Sequence, residues 1–201
     1  MRTGEFFSIG LTMKTNKVCL PKEHIILVQS LVDEGWSGLW SQANGGPVTL
    51  ECVEGSLSNY IDSHGPLEYF HALQLALNLG TQIVALAKHG KGLVSLNSDD
   101  ITVCGGGFVI SNLSGMVALE GDVLHVVRPI DKTRNAAPEL SLVNELPSQL
   151  HVSATYYSIA TICIESMGIG EDMREIYGSK LYYLLERCMR RDPHRREFLY
   201  I

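Results

Sequence analysis

The sequence predicts an α+β domain in which a strand-rich first block is followed by a block rich in helices. In residues 6–53, short runs of alternating apolar residues lie between turn residues, a pattern that favours strands around one helix. Beyond residue 56, apolar residues recur mainly at helical spacing, interrupted by one small hairpin. Strands and helices in separate blocks are typical of an α+β architecture.

The first block is predicted to hold a β-hairpin, one helix and two further strands. Residues 6–20 alternate around a polar turn, and Pro21 then opens a helix. Strands are expected over Trp36 to Trp40 and over Val48 to Val53. The loop at residues 43–47 has the Asn-Gly chemistry of a tight hairpin turn and joins these two strands.

The second block is predicted to hold four helices and a small hairpin. The longest helix, Leu67 to His89, has apolar residues on two faces, so we expect it to be buried nearly all round. The other expected elements are a short helix at Ser56 to Ser63, strands at Ile101 to Cys104 and Phe108 to Ser111, and helices at Tyr156 to Met167 and Tyr177 to Arg190.

Length and composition predict one soluble domain inside the cell. The 201 residues are 45% apolar and 19% charged, and the net charge of -6 argues against a nucleic-acid partner. Five cysteines without a CxxC pair predict reduced thiols in the cytoplasm or nucleus and no metal site. We recognise no signal peptide, and the apolar run Ile159 to Ile164 is far shorter than the ~20 residues of a membrane span.

Three short motifs follow the longest helix in a fixed order: Ala137-Pro138-Glu139, then Tyr157-Ser158-Ile159-Ala160, then Asp192-Pro193-His194-Arg195-Arg196. In this order and spacing they resemble motifs of the C-terminal lobe of the protein kinases, and the resemblance extends from Pro21 to Phe198. It implies one kinase-like domain. Residues 1–53 would form a reduced N-lobe of a hairpin, one helix and two strands, together with the hinge, and residues 54–201 a mainly helical C-lobe.

The resemblance also assigns structural roles. Leu50, Glu51, Cys52 and Val53 stand where kinases have the hinge, whose backbone binds adenine, and Leu50 would be the gatekeeper residue. Glu139 and Arg196 would form the buried ion pair that anchors the activation segment. A guanidinium suits that role because it can bind a carboxylate through two parallel hydrogen bonds.

The residues that transfer phosphate in kinases are missing. The segment from Val94 to Ile101 has no His-Arg-Asp; Asp99 is a weak candidate for a displaced base and Asp100 for a metal ligand. Both are also ordinary turn residues. Asn112-Leu113-Ser114 replaces the metal-binding Asp-Phe-Gly, and an asparagine lacks the charge that holds Mg²⁺ against a triphosphate. Thr155 stands where kinases have an aspartate that supports the catalytic loop.

The N-terminal part is too short for the nucleotide-binding strands of a full kinase. It has no Gly-x-Gly-x-x-Gly loop. Lys17 and Lys22 are the nearest candidates for the phosphate-binding lysine, and Glu23 lies too early in its helix to be the usual partner of that lysine. A turn lysine and a helix-start charge are the competing interpretation.

These losses predict a catalytically inactive pseudokinase that acts as an interaction, decoy or regulatory module. Its partner would be a kinase or a regulator or substrate of one, and truncated kinase lobes of this kind occur among viral proteins. One alternative is a minimal Ser/Thr protein kinase that uses Asp99 or Asp100 with ATP and Mg²⁺. The other is a nucleotide sensor without hydrolysis. No cofactor is expected otherwise.

The reduced N-lobe predicts an open partner surface at Trp36, Trp40 and Leu50, because aromatic residues are enriched at binding hot spots. The competing interpretation is that the tryptophans pack the small sheet against its helix. In that case the segment from Ser114 to Arg134 is the next candidate face. Self-association through open strand edges is a further option.

Overall fold

A computed structural model describes residues 16–131 and 133–199. Within that range the chain forms ten short strands and five α-helices, which confirms the α+β class. The strands are β1 (Val18–Leu20), β2 (Trp40–Gln42), β3 (Val48–Leu50), β4 (Val53–Ser56), β5 (Lys91–Leu93), β6 (Ile101–Cys104), β7 (Gly107–Ile110), β8 (Met116–Glu120), β9 (Val123–Val126) and β10 (Ser148–His151). The helices are α1 (Ile25–Asp33), α2 (Leu57–His64), α3 (Tyr69–Ala87), α4 (Ser153–Met167) and α5 (Lys180–Cys188).

The N-terminal part is a three-stranded antiparallel sheet in the order β1-β3-β2, with α1 packed on it. Asn44 and Gly45 both have positive φ, 46° and 71°, as the predicted tight turn requires. Of the predicted hairpin at residues 6–20, residues 6–15 lie outside the described residues. Its second arm ends in β1, which pairs with β3.

Two strand boundaries differ from the prediction. The expected strand over Trp36 to Trp40 begins only at Trp40, because Gly38 packs under the indole ring of Trp36 and leaves no straight strand there. The expected strand Val48 to Val53 is broken after Leu50. Cys52 has a φ of 57°, so the chain turns and β4 starts a second sheet in the order β4-β6-β7.

Helix α3 is the central helix, and it is not buried all round as predicted. One face packs on α1, α4 and β7. On the other face Phe70 is 77% exposed and Val84 is 50% exposed. Of the helices that the structure describes, α3 alone is long and apolar enough to cross a membrane, but the core helix of a folded domain passes the same test, so this is weak evidence for a span.

The segment after residue 114 contributes three strands, which join β5 in a four-stranded antiparallel sheet, β10-β9-β8-β5, that the sequence analysis did not predict. Gly121, with a φ of 58°, makes the β8–β9 turn, and Leu119 and Leu124 face each other beside it. The expectation of a mainly helical second block is therefore not confirmed. From Val53 onward, the described chain has seven strands beside four α-helices.

Three apolar clusters hold the fold together. The largest surrounds α3, α4 and α5, a smaller one lies under the N-terminal sheet, and the third fills the space behind the four-stranded sheet. The turn between β5 and β6 and the segment after β7 meet where these clusters join. The candidate site residues lie on these two stretches.

Candidate functional site

Asp99 and Asp100 lie in a one-turn helix, Ser98–Asp100, that leads into β6. Asn97 caps it: its side-chain Oδ1 accepts hydrogen bonds from the backbone N–H of Asp99 at 2.8 Å and of Asp100 at 3.2 Å. In return, Oδ2 of Asp100 accepts from the backbone N–H of Asn97 at 2.9 Å. This reciprocal capping gives Asp100 a structural role in the turn.

The second carboxylate oxygen of Asp100 is bound to Asn112. The side-chain Nδ2 of Asn112 donates to Oδ1 of Asp100 at 2.7 Å, and its Oδ1 accepts from the backbone N–H of Ser114 at 2.9 Å. The chain thus brings together the two residues predicted to replace the metal ligands. Each already has a protein partner on both of its side-chain polar atoms.

The pKa of Asp100 is raised above the usual aspartate value. Burial is the main cause, because a charge loses solvation there. The hydrogen bonds from Asn97 and Asn112 act in the opposite direction, and the neighbouring charge of Asp99 adds to the increase. A carboxyl group in these surroundings is held as part of the fold rather than exposed for exchange with a substrate.

Asp99 is held by the helix that follows the hinge segment. The hydroxyl of Ser58, in α2, donates to Oδ1 of Asp99. Ser58 is also within 3.1 Å of the Ser56 hydroxyl, which caps α2. The contact ties the Asp99 turn to the start of α2, so the structural interpretation accounts for this residue too.

A polar cavity of about 300 Å³ opens beside the Asp100–Asn112 pair. It is the space that a minimal kinase would have to use. Its lining includes Ser95, Asp100, Asn112, Ser114, Arg128 and Asp131. Over residues 16–131 and 133–199, no three His, Cys, Asp or Glu side chains are grouped closely enough to hold a metal ion. All five cysteines fall within these ranges and none forms a disulfide.

The hinge-like segment uses its backbone groups inside the protein. The carbonyl oxygen of Glu51 accepts from the thiol of Cys104 at 2.8 Å, and that of Cys52 accepts from the backbone N–H of Gly105 at 3.4 Å. The N–H of Val53 donates to the carbonyl oxygen of Asn16 at 3.1 Å. The gatekeeper candidate Leu50 is completely buried, so it cannot contribute to an open partner surface as predicted.

The basic candidates of the N-terminal part have no phosphate-binding arrangement. Lys17 pairs with Glu51 of the hinge-like segment, with 2.8 Å between Nζ and Oε1. This contact raises the pKa of Lys17, through the hydrogen bond first and the charge second. Lys22 and Glu23 are exposed at the start of α1. The positions of these three residues therefore fit the competing interpretation, in which the lysines are turn residues and Glu23 is a charge at the start of a helix.

Residues from the three quoted sequence motifs are in contact with one another. Arg196 donates two hydrogen bonds to the carboxylate of Glu139, which follows Ala137 and Pro138 in a short 3₁₀ turn. The guanidinium lies 5.0 Å from the ring centre of Tyr157. Thr155, in the place of the supporting aspartate, donates its hydroxyl to the carbonyl oxygen of Leu93, just before the Asp99 turn.

The two tryptophans are partly buried and pack against the apolar cluster under the N-terminal sheet. Trp36 lies between Gly38 and Gly107, where any added Cβ would overlap its ring. This packing favours a core role for Trp36. The partner surface at Trp36 and Trp40 stays a prediction.

Sequence reasoning missed Arg128. Its Nη2 donates to the backbone carbonyl oxygens of Ser114 and Met116, at 2.7 and 3.3 Å, and so holds the Asn112–Ser114 segment against the four-stranded sheet. Nothing in the local sequence marks this arginine, because its partners are backbone groups more than ten residues away. Only the unpredicted β8–β9 hairpin brings them together.

No protein-family model matches this sequence, and a search of curated proteins found no significant match. The kinase-like resemblance therefore depends on the quoted motifs and on the contacts of the residues within them.

Proposed function

We propose that the chain is a non-catalytic kinase-like protein that acts by binding a protein partner. The observation that carries the proposal is the hydrogen bond between Asn112 and Asp100. These are the two positions at which a kinase holds its metal ions, by the alignment of the motifs. Here the amide of Asn112 donates to Oδ1 of Asp100 and competes with a metal ion for that oxygen, and phosphoryl transfer depends on the charge and position of those groups.

The hinge contacts support the same conclusion and weaken the case for a nucleotide sensor. An adenine ring would compete with the internal partners of the Glu51 and Cys52 carbonyl oxygens and of the Val53 N–H. Breaking internal hydrogen bonds to form new ones brings little net gain, since an exchanged hydrogen bond contributes only about 0.5–1.5 kcal/mol.

The pairing of Glu139 with Arg196 supports a retained kinase-like C-lobe surface. Such a surface suits a decoy or regulator, since a protein that binds a true kinase could bind a similar surface here without any phosphoryl transfer. The partner class we propose is a kinase, or a substrate or regulator of one, in the cytoplasm or nucleus. A minimal kinase that uses Asp99 or Asp100 remains the second candidate, and the polar cavity beside Asp100 is the observation in its favour.

The test is the thermal stability of the purified protein with ATP, with and without Mg²⁺, together with transfer of radiolabelled γ-phosphate. We expect neither a shift in melting temperature nor incorporation. A Mg²⁺-dependent shift with incorporation that is lost in Asp100→Ala, but kept in the exposed-residue control Glu145→Ala, would establish the minimal kinase instead. A shift without Mg²⁺ and without incorporation would establish the sensor.

A further inference from the structure

The outer face of the four-stranded sheet contains a groove. Lys91, Ala118 and His125 are neighbours across β5, β8 and β9. The small side chain of Ala118 leaves a hollow between the two longer ones, and a cavity of about 490 Å³ opens there. The side chains that define this basic groove are His89, Lys91, Met116, His125, Val127 and Arg128.

The groove is basic although the chain as a whole has a net charge of -6. Among the described residues, no carboxylate lies within ion-pair distance of Lys91 or Arg128. The acidic group next to this face is Glu120, which is 3.5 Å from Nε2 of His125 and whose side chain is 82% exposed. The positive charges of Lys91 and Arg128, which no described carboxylate pairs with, favour an acidic partner.

The same groove presents apolar surface. Val127 is 71% exposed, and Met116 is half-buried on the floor. An exposed valine beside a methionine gives an apolar side chain of a partner a place to lose its contact with water. A free phosphate or a polyanion has no apolar group to cover Val127 and Met116, so this surface would stay in contact with water.

The groove is also held in place before any partner arrives. Two carbonyl oxygens fix the guanidinium of Arg128, and backbone pairing on both sides of β8 fixes the floor. A preformed site loses less side-chain and loop entropy on binding, which increases the affinity obtained from a small area.

We infer that the basic groove binds an acidic segment of a partner protein, with an apolar side chain of that segment seated on Met116 and Val127. The inference rests on the proposed function as a protein-binding module and names the chemistry of its partner. Nucleic acid fits less well, because among the groove residues the only aromatic rings are those of His89 and His125, while single-stranded nucleic acid is usually held by stacking of bases on aromatic rings.

The experiment is selection from a library of random short peptides displayed on phage, with the intact protein immobilised. Affinities of the enriched peptides are then measured by fluorescence polarisation. The test variants are Lys91→Glu and Val127→Ser. The matched controls are Lys22→Glu, at an exposed lysine on α1's leading turn, and Leu142→Ser, at a leucine that is 76% exposed elsewhere. Circular dichroism and melting temperature establish that each variant is folded.

We expect enriched peptides that combine acidic residues with an apolar one and whose binding weakens as salt is added. Lys91→Glu should reduce their affinity by about tenfold, equivalent to about 1.4 kcal/mol, and both controls should leave it unchanged. The Val127→Ser variant should weaken binding without changing its salt dependence.

Three results would overturn the inference. In the first, no peptide is enriched, or the enriched peptides bind both test variants as well as the wild type. In the second, oligothymidylate displaces the peptides and binds more tightly than they do, which would assign the groove to nucleic acid. In the third, light scattering shows a dimer that Lys91→Glu dissociates, which would make a second copy of the chain the occupant. None of these results depends on the ATP experiment, so failure of the groove and failure of the proposed function are distinguishable.

Discussion

Arg196 holds both carboxylate oxygens of Glu139, with Nη1 2.5 Å from Oε1 and Nη2 2.9 Å from Oε2. The guanidinium side chain is completely buried, and its Nε donates to the carbonyl oxygen of Arg190 at 2.6 Å. A buried charge of this kind is stable only while its counter-charge remains. This pair joins the turn between β9 and β10 to the C-terminal end of the described chain.

Removal of Glu139 should therefore leave Arg196 as an unpaired buried charge. We predict that Glu139→Ala lowers the free energy of unfolding by about 3 kcal/mol. The exposed Glu145→Ala serves as the control and should change it by less than about 0.5 kcal/mol. Urea titration monitored by circular dichroism measures both. Equal stability of the two variants would mean that the ion pair does not anchor this region.

Asn112→Asp should destabilise the protein at neutral pH. The new carboxylate would face Oδ1 of Asp100 where the amide now donates, and like charges this close repel. We predict a loss of about 1–2 kcal/mol, comparable to the loss of one hydrogen bond to a charged group plus repulsion. Acidification or Mg²⁺ should restore part of it, because either one neutralises the pair.

The control for that variant is Asn112→Ala, which loses the same hydrogen bond without adding a charge. Its stability should not respond to Mg²⁺. If Asn112→Asp is as stable as the wild type in the absence of metal, the amide at this position is not what satisfies Asp100.

Stability should fall on mild acidification because of two histidines, the buried His24 and the partly buried His151. Nδ1 of His24 is 3.1 Å from the carbonyl oxygen of Pro21, and Nε2 is 3.1 Å from that of Ser111. Burial nevertheless lowers the pKa of His24 below its usual 6.5, against the opposite effect of those carbonyls. Burial, followed by the charge of His194, lowers the pKa of His151. The unfolded chain therefore takes up protons at a higher pH than the folded one.

The expected result is a free energy of unfolding that is constant well above pH 6.5, decreases as the pH falls through 6.5, and levels off below the lowered folded pKa values. His24→Gln should make this slope shallower, whereas the same change at the exposed His71 should not. Chemical denaturation at a series of pH values measures the slope. A stability that rises on acidification over this range would show that the charged form of His24 is the favoured one.

Trp36 should behave as a core residue. Its ring is enclosed by Gly38 and Gly107, so its removal leaves a cavity. We predict that Trp36→Ala costs about 3 kcal/mol, within the usual range for large-to-small core changes. Phe70→Ala is the matched control, since that ring is 77% exposed and should cost little. A folded Trp36→Ala protein of normal stability would show that Trp36 is not a core residue and would favour its role in partner binding.

Local signals predicted the helices well, because each depends on apolar spacing and end chemistry within one segment. The Ser56 hydroxyl accepts from the N–H of Asn59 to cap α2, and Asn44-Gly45 makes the first hairpin. The exposed face of α3 was not predictable. The spacing of apolar residues shows which faces of a helix can be buried, but not how many other elements pack against them. Phe70, in the first turn of α3, stays 77% exposed.

The four-stranded sheet had a local signal that was overlooked. Val117 and Leu119 alternate before Gly121-Asp122, and Leu124 and Val126 alternate after it, which is a hairpin pattern. The addition of β10 to this hairpin could not be predicted from the sequence, because the strand Ser148–His151 pairs with β9, which is distant from it along the chain. The Asp100–Asn112 contact was unpredictable for the same reason. The sequence shows which residues stand at the two positions, but not that the amide of one donates to the carboxylate of the other.

The backbone of Met116–Val126 has ladder partners on both sides, β5 on one and β10 on the other. Movement of this segment would require two rows of hydrogen bonds to break together. The amides of this segment should therefore exchange slowly with solvent, and a partner that meets this face would find one shape at all times. Recognition by this chain would be constitutive, and any control over it would have to come from the partner or from the amount of protein present.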